Sequence, residues 1–208
     1  MSGLKRAFDL GGSLFLLAAL SPLLAAAALA IRLTSRGPAL FRQERLGRAG
    51  RTFSIFKFRT LVAGAELTGS LLHRDDPRIT PLGRAFRRYR LDELPQLLNV
   101  LRGDMSLVGP RPLLPRFLPF YSPGDRRRLE AVPGMTGWQQ VHGAARHTWR
   151  ERVALDVWYV DHQGFWLDLR ILWRTVAVVA RADTAYATDG TQTSGIPEGC
   201  PPELRRDL

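Results

Sequence analysis

Asp92 and Glu93 are adjacent acids in a basic neighbourhood. Arg87, Arg88 and Arg90 precede them, and the apolar stretch LPQLLNVL follows. Pro95 is tolerated only in a first helical turn, so a helix is expected to start near Leu94 or Pro95. Leu97, Leu98 and Leu101 then share its buried face, and Gly103 is placed to end it. The two carboxylates fall at the positive end of that helix dipole, among cations, and both effects favour the ionised form. An ionised carboxylate held in this way can attack a phosphate, or hold a metal that carries one. First-turn acids also serve simply to complement a helix dipole, and Asp92-Glu93-Leu94 alone is more often that.

The chain has 208 residues, enough for one domain with an appendage, and 45% of them are hydrophobic, enough for a core. Lys+Arg 30 against Asp+Glu 19 gives a formal charge of +11. That balance suits a phosphate-rich partner: nucleic acid, an anionic membrane face or a nucleotide. Cys200 is the only cysteine, which excludes an internal disulfide and a cysteine-built zinc site. The four histidines form no recognisable metal-binding pattern.

Lys5 and Arg6 precede an apolar run of roughly 22 residues from Leu10 to Ile31, with Arg32 and Arg36 after it. The run is long enough to span a bilayer and long for a secretory signal. Ser21-Pro22 interrupts it. Pro22 removes a backbone donor, which kinks or breaks a helix, and the Ser21 hydroxyl can satisfy the carbonyl so freed. Basic residues at both flanks favour keeping both ends on the cytoplasmic side. A spanning anchor and a re-entrant helix broken at Ser21-Pro22 are equally good readings of these residues.

Leu40 to Thr60 reads as a β-hairpin. Phe41, Gln43 and Arg45 alternate on its first strand, Gly47 to Gly50 form the turn, and Phe53, Ile55, Phe56 and Phe58 fill the second strand. Lys57 and Arg59 lie two apart and so point to one sheet face. Ala63 to Leu72 is expected to form a short helix. Thr80 is placed as N-cap, and Pro81 as first residue, of a helix to Arg90 with Leu82, Ala85, Phe86 and Tyr89 in one stripe. Pro112, Pro115 and Pro119 forbid a long helix, so that segment is extended or broken. Ser122-Pro123 opens a helix carrying Arg126, Arg127 and Arg128, and AVPGMTGWQQVHGAAR is a glycine-rich loop. Helices are expected from Trp149 to Asp161, with Val153, Val157 and Val160 in a stripe, and from Phe165 to Ala180, with Trp166 and Trp173 as interfacial anchors. Asp183 to Leu208 reads as a loosely ordered tail.

LDELPQLLNVLRGDMSLVGPRP resembles, along its whole length, the core signature of the bacterial sugar transferases, the monotopic phosphoglycosyl transferases. SIFKFRTL is similar to another block of that family, with Leu61 where Met is usual. Pro133 to Trp138 resembles a third, and LDVWYVDHQGFWLDLRILWRTVAVV the C-terminal block. In the third block His142 stands where Asn is usual and Ala144 where the family has an arginine; Arg146, two residues on, is the candidate to take its part. The resemblance covers about Lys5 to Val179.

It implies an α/β fold, mainly helical with a small β-hairpin or sheet. The expected organisation is a re-entrant membrane helix at 1–36, a transferase domain with membrane-surface amphipathic helices at 37–182, and the tail at 183–208, with no added N-terminal multi-helix membrane domain. The place would be the cytoplasmic face of the bacterial inner membrane. It implies transfer of a sugar-1-phosphate from a UDP-sugar to polyprenyl (undecaprenyl) phosphate, as the initiating step of surface glycan synthesis such as exopolysaccharide. Asp92 would be the nucleophile and Glu93 would hold Mg2+ or handle the proton. Lys57, Arg59, Arg87, Pro110, Arg111 and Arg146 would bind substrate, Pro110 and Pro112 holding Arg111 on a stiff backbone. Ser21 and Pro22 would set the membrane topology. The expected partners are the two substrates and a phospholipid membrane but no nucleic acid; a homodimer is left open. The rival is a membrane-anchored basic protein that binds anionic lipid or nucleic acid without catalysis.

Overall fold

The computed structural model describes residues 2–62, 64–65, 75–143 and 147–181. The expected Ala63–Leu72 helix, the tail from 183 to 208, Ala144 and Arg146 therefore lie partly or wholly outside the described residues.

The apolar run forms one helix, α1 (Gly3–Thr34), of 32 residues, which continues through Pro22. The expected break at Ser21-Pro22 is not a break in hydrogen bonding. Pro22 cannot donate to the carbonyl four residues back, that of Ala18. The Ser21 hydroxyl donates to that oxygen at 2.8 Å and so restores the lost bond. The helix is long and apolar enough to cross a membrane. Both of its ends nevertheless dock on the rest of the protein. Near the start, Arg6 donates to Val100 O (2.6 Å) and Leu101 O (2.9 Å), Lys5 pairs with Asp168 at 2.5 Å, and buried Asp9 accepts from Leu107 N at 3.0 Å. Near the end, Ala27 and Ile31 pack with Phe58 and Phe86. Between these docks Leu14, Phe15 and Leu23 are exposed.

The hairpin forms as expected. Strands β1 (Leu40–Leu46) and β2 (Thr52–Phe58) pair antiparallel, with Arg45 opposite Phe53 and Phe41 opposite Lys57. Helix α2 (Pro81–Arg88) starts on Thr80, whose hydroxyl accepts from Gly83 N at 2.9 Å. Its buried face is Gly83 and Phe86; Ala85 and Tyr89, expected in the stripe, are exposed. Gly83 is buried because α2 crosses close to the strand end: a Cβ there would stand 2.2 Å from Thr60 O.

A 3-10 turn (Leu91–Gln96) then leads into α3 (Leu97–Arg102), which ends at Gly103 in the left-handed region (φ 91°). Gly103 was expected to end this helix. Its buried face differs from expectation. Leu97, Asn99 and Val100 are buried, whereas Leu98 is 37% exposed and Leu101 half-buried. The 3-10 turn rotates the face, and Asn99 is drawn inward because it binds the hairpin backbone. Its Oδ1 accepts from Phe56 N (3.0 Å), and its Nδ2 donates to Ser54 O (2.8 Å).

Strands β3 (Ser106–Val108) and β4 (Gly134–Thr136) form a parallel pair. The second lies where the sequence predicts a glycine-rich loop, because glycine there signals freedom. The glycines instead permit close approach, since a Cβ on Gly134 would stand 2.0 Å from Gly109 N. The proline-rich segment folds into a 3-10 helix at Pro115–Phe120, and Asp125–Leu129 is a second 3-10 helix rather than a regular one. After α4 (Trp138–Val141), helices α5 (Trp149–His162) and α6 (Phe165–Ala180) close the fold. Thr148 and Glu151 form a capping box on α5. Trp166 and Trp173 on α6 are each 80% exposed. Ile55, Leu97, Val100, Leu107, Tyr159 and Ile171 are among the residues of the core that joins hairpin, α3, β3, α5 and α6.

Candidate active site

The acids sit where the chain reverses between α2 and α3. Arg90 takes a left-handed conformation (φ 56°), which ends the path of α2 and turns Asp92 and Glu93 toward the hairpin. Each acid is only 9% exposed. Lys57 on β2 reaches Glu93 Oε1 at 3.0 Å, Arg111 reaches the same oxygen at 3.0 Å, and Arg90 lies 3.6 Å from it. Among the described residues Asp92 has no such partner: its Oδ1 is buried with no hydrogen bond.

The two carboxyls therefore differ, although the helix dipole and the neighbouring cations favour ionisation of both. Burial works against the charge of Glu93, but Arg111, Lys57 and Arg90 outweigh it and hold the carboxyl well below its usual range. Burial and the neighbouring Glu93 charge push Asp92 up, against the pull of Lys57, Arg87 and Arg90. Glu93 is a fixed anion, and Asp92 is a carboxyl awaiting a partner for one oxygen.

The substrate-binding candidates divide. Lys57 and Arg111 reach Glu93, and Arg87, held by Thr60 Oγ1 at 2.8 Å, acts on Asp92. Arg59 is directed elsewhere: it follows the last residue of β2 and donates to Ser35 O (2.9 Å) and Oγ (2.8 Å), locking the end of α1. Alternation of side chains does not continue past the strand end. Pro110 acts through its backbone, with its carbonyl accepting from Gly134 N at 2.9 Å. His142 binds Trp138 O at 2.7 Å and Arg174 at 2.8 Å, a loop role, and His147 binds His142 O at 2.9 Å.

Two features were not singled out from sequence. Arg45 lies near enough to Arg111 for the two charges to repel. Behind Arg111, Arg128 donates to its carbonyl at 2.7 Å and to Tyr121 Oη at 2.6 Å, and pairs with Asp156, which also accepts from Gln139 at 3.1 Å. Arg128 and Asp156 are both buried. Arg128 sits in a run of three arginines and Asp156 lies 28 positions on, so no local pattern links them.

Among the described residues no three acidic, histidine or cysteine side chains gather as a metal cage. The site fits a different kind of cation. Mg2+ commonly binds through one or two carboxylates, with waters and ligand phosphates filling its shell. The unpartnered Asp92 oxygen beside Glu93 suits that use.

A family model described as "Bacterial sugar transferase" matches residues 1–182. The chain is 47% identical over 186 residues to the "Uncharacterized sugar transferase EpsL" of Bacillus subtilis (strain 168), covering 89% of this chain and 92% of that protein. It is 45% identical over 193 residues to the "UDP-glucose:undecaprenyl-phosphate glucose-1-phosphate transferase" of Caulobacter vibrioides, covering 88% and 72%. It is 42% identical over 200 residues to the "Undecaprenyl-phosphate galactose phosphotransferase" of Salmonella typhimurium, covering 88% of this chain but 42% of that relative.

Proposed function

Because the chain belongs to the bacterial sugar transferase family, and is an enzyme of that transferase class, we propose that it moves a sugar-1-phosphate from a UDP-sugar to undecaprenyl phosphate through a covalent aspartyl intermediate. Family membership sets aside the rival reading as a basic protein that only binds. The observation that carries the mechanism is the inequality of the two acids. Glu93 is tied by three cations at one oxygen, whereas Asp92 presents a buried oxygen with no partner among the described residues.

In the first step an Asp92 oxygen forms a bond to the phosphorus attached to the sugar. The bond from that phosphorus to the bridging oxygen breaks, and UMP leaves with the electron pair. In the second step an oxygen of undecaprenyl phosphate attacks the same phosphorus and Asp92 leaves as carboxylate. The product is undecaprenyl diphosphate sugar. Lys57 and Arg111 are held in advance by Glu93, and Arg87 by Thr60; on this reading they receive the reacting phosphates and stabilise developing charge without reorganisation. Mg2+, held by Asp92 and Glu93, would supply further neutralisation of phosphate charge. Glu93 keeps Lys57 and Arg111 in place, so its role is positioning as well as any metal binding.

The membrane reading is that α1 enters and leaves on one face. Both ends of α1 dock on the same body, whereas a helix crossing a bilayer would carry one end away from it. The exposed apolar side chains of α1, with Trp166 and Trp173 of α6, offer a surface to the lipid. The two helices meet through Phe8 and Phe165, whose ring centres are 5.5 Å apart. The cytoplasmic leaflet supplies the anionic surface that a +11 chain prefers.

The test is a single-turnover experiment with UDP-sugars and Mg2+ and no lipid acceptor. A UMP burst no larger than the enzyme present is expected, with a sugar-phosphate mass gained by the peptide containing Asp92. Asp92→Asn should abolish both. Turnover with acceptor but neither burst nor adduct would instead mean direct attack by the lipid phosphate.

A further inference from the structure

The hairpin register places Gln43 opposite Ile55, Arg45 opposite Phe53 and Phe41 opposite Lys57. Directly opposite residues share a face of an antiparallel pair, so Gln43, Arg45 and Lys57 stand on one face. Lys57 identifies it as the face toward Glu93. The backbone brings Arg45 close to Arg111, since Leu46 N donates to Leu113 O at 2.8 Å.

The Arg45 guanidinium is incompletely satisfied there. Its Nη2 donates to the Gln43 amide oxygen at 2.5 Å, and its Nε is buried with no partner among the described residues. Burial, Arg111 and Arg116 together push its pKa down to about 9, against the pull of Glu93. A half-buried guanidinium bonded to a neutral amide, with the charges of Arg111 and Arg116 acting against it, is costly unless an anion joins it. The rest of the site shows where that anion would lie. The cations acting most strongly on Asp92 are Lys57, Arg87 and Arg90, whereas Arg111 leads those acting on Glu93. Arg45 belongs to the Arg111 side.

We propose that Arg45 is a phosphate-binding residue of this site, its guanidinium completing its hydrogen bonds on an oxygen of a ligand phosphate held between Arg45 and Arg111. The proposal rests on the reading of the site as one for phosphoryl transfer. A ligand with two linked phosphates would then place one phosphorus at Asp92 and the other on the Arg45–Arg111 side. That second phosphate comes either from the nucleotide or from the lipid acceptor. Gln43 is the positioning residue that holds Arg45 by one nitrogen and leaves Nε to the ligand.

The test uses the full chain in detergent and inorganic pyrophosphate as probe, with affinity read by calorimetry. Arg45→Ala should weaken binding about tenfold or more, the scale of a lost charge-assisted hydrogen bond. Arg45→Lys should restore part of it, and Arg51→Ala, which removes an exposed charge from the hairpin turn, should leave it unchanged. Arg45→Gln repeats the measurement should Arg45→Ala fail to fold. The ligand-free melting midpoint of Arg45→Ala should match or exceed the parent's. Two kinetic arms identify the phosphate. A raised KM for UDP-sugar in the UMP burst assigns it to the nucleotide, and a raised KM for undecaprenyl phosphate in discharge of the adduct assigns it to the lipid. Unchanged pyrophosphate affinity in the Arg45 variants overturns the proposal, as does a parent that binds no pyrophosphate. Pyrophosphate binding needs no turnover, so failure of every UDP-sugar to release UMP would defeat the proposed reaction and leave the Arg45 result to be judged separately.

Discussion

Arg111→Ala separates a binding role from a folding role. The side chain is 29% exposed and makes one ion pair among the described residues, to Glu93 Oε1 at 3.0 Å. Removing it leaves that oxygen with Lys57 at 3.0 Å and Arg90 at 3.6 Å, so Glu93 is not stranded. The loss is also offset, because Arg111 repels two neighbouring guanidinium groups. Burial first and Arg111 second push down both Arg45, to about 9, and Arg152, to about 10. A partly exposed ion pair contributes at most about 1 kcal/mol, and relief of repulsion acts in the opposite direction. The melting midpoint should therefore move by no more than about 2–4 °C. The transition state loses one fixed donor to a phosphate oxygen, which in comparable sites costs about 10²–10³ in rate. The assay is kcat/KM for UMP release with UDP-sugar and lipid acceptor, beside a thermal melt without ligand. Arg111→Lys should recover part of the rate but not its bidentate share. A fall of 10 °C or more, well beyond about 4 °C, with normal specific activity in the folded fraction would refute the reasoning.

Breaking the buried pair behind Arg111 should behave oppositely. Arg128→Met leaves Asp156 buried without its cation and should cost about 3–5 kcal/mol, whereas Arg128→Met with Asp156→Met should recover much of that loss in a denaturant titration. Glu93→Gln removes the charge that helps raise Asp92, so the acid limb of adduct formation should move to lower pH; a limb that stays put or moves upward in stopped-flow UMP release contradicts the coupling. Asp92→Asn removes a carboxyl whose ionised form is disfavoured by burial. Because the folded state holds that proton more tightly than the unfolded one, the parent loses stability as pH rises through the raised Asp92 range, and Asp92→Asn should melt above the parent at neutral pH and converge with it in acid. Replacing Ser21 with Leu and Pro22 with Ala gives α1 an uninterrupted backbone ladder and should favour a spanning helix. A cysteine at Ser2 should then lose its cytoplasmic labelling, and unchanged labelling contradicts the topology reading.

What could be read in the sequence was local, and what could not was set by contacts between distant segments. Thr80-Pro81 started α2, Gly103 ended α3, the alternation of Phe41 to Arg45 formed a strand, and Ser21 could be matched to the carbonyl that Pro22 frees. Each of these depends on neighbours within about four residues, where backbone chemistry decides. Lys57 reached the acids because it lies inside a paired strand, and Arg59 did not because the strand stops one residue earlier and Ser35 offers it two oxygens. The parallel pairing of Ser106–Val108 with Gly134–Thr136 left no local trace, since its glycines look like loop glycines until another backbone stands where a Cβ would be. The difference between Asp92 and Glu93 is the instructive case. Adjacent acids in one turn share every local influence, and the dipole argument gave both the same charge. Glu93 Oε1 is met by Lys57 from β2, Arg111 from the segment after β3 and Arg90 from the turn itself, whereas no described residue meets Asp92 Oδ1. An assignment of one acid to holding the site and the other to bonding with substrate thus comes from the convergence of three separate stretches of chain, which no spacing within LDEL encodes.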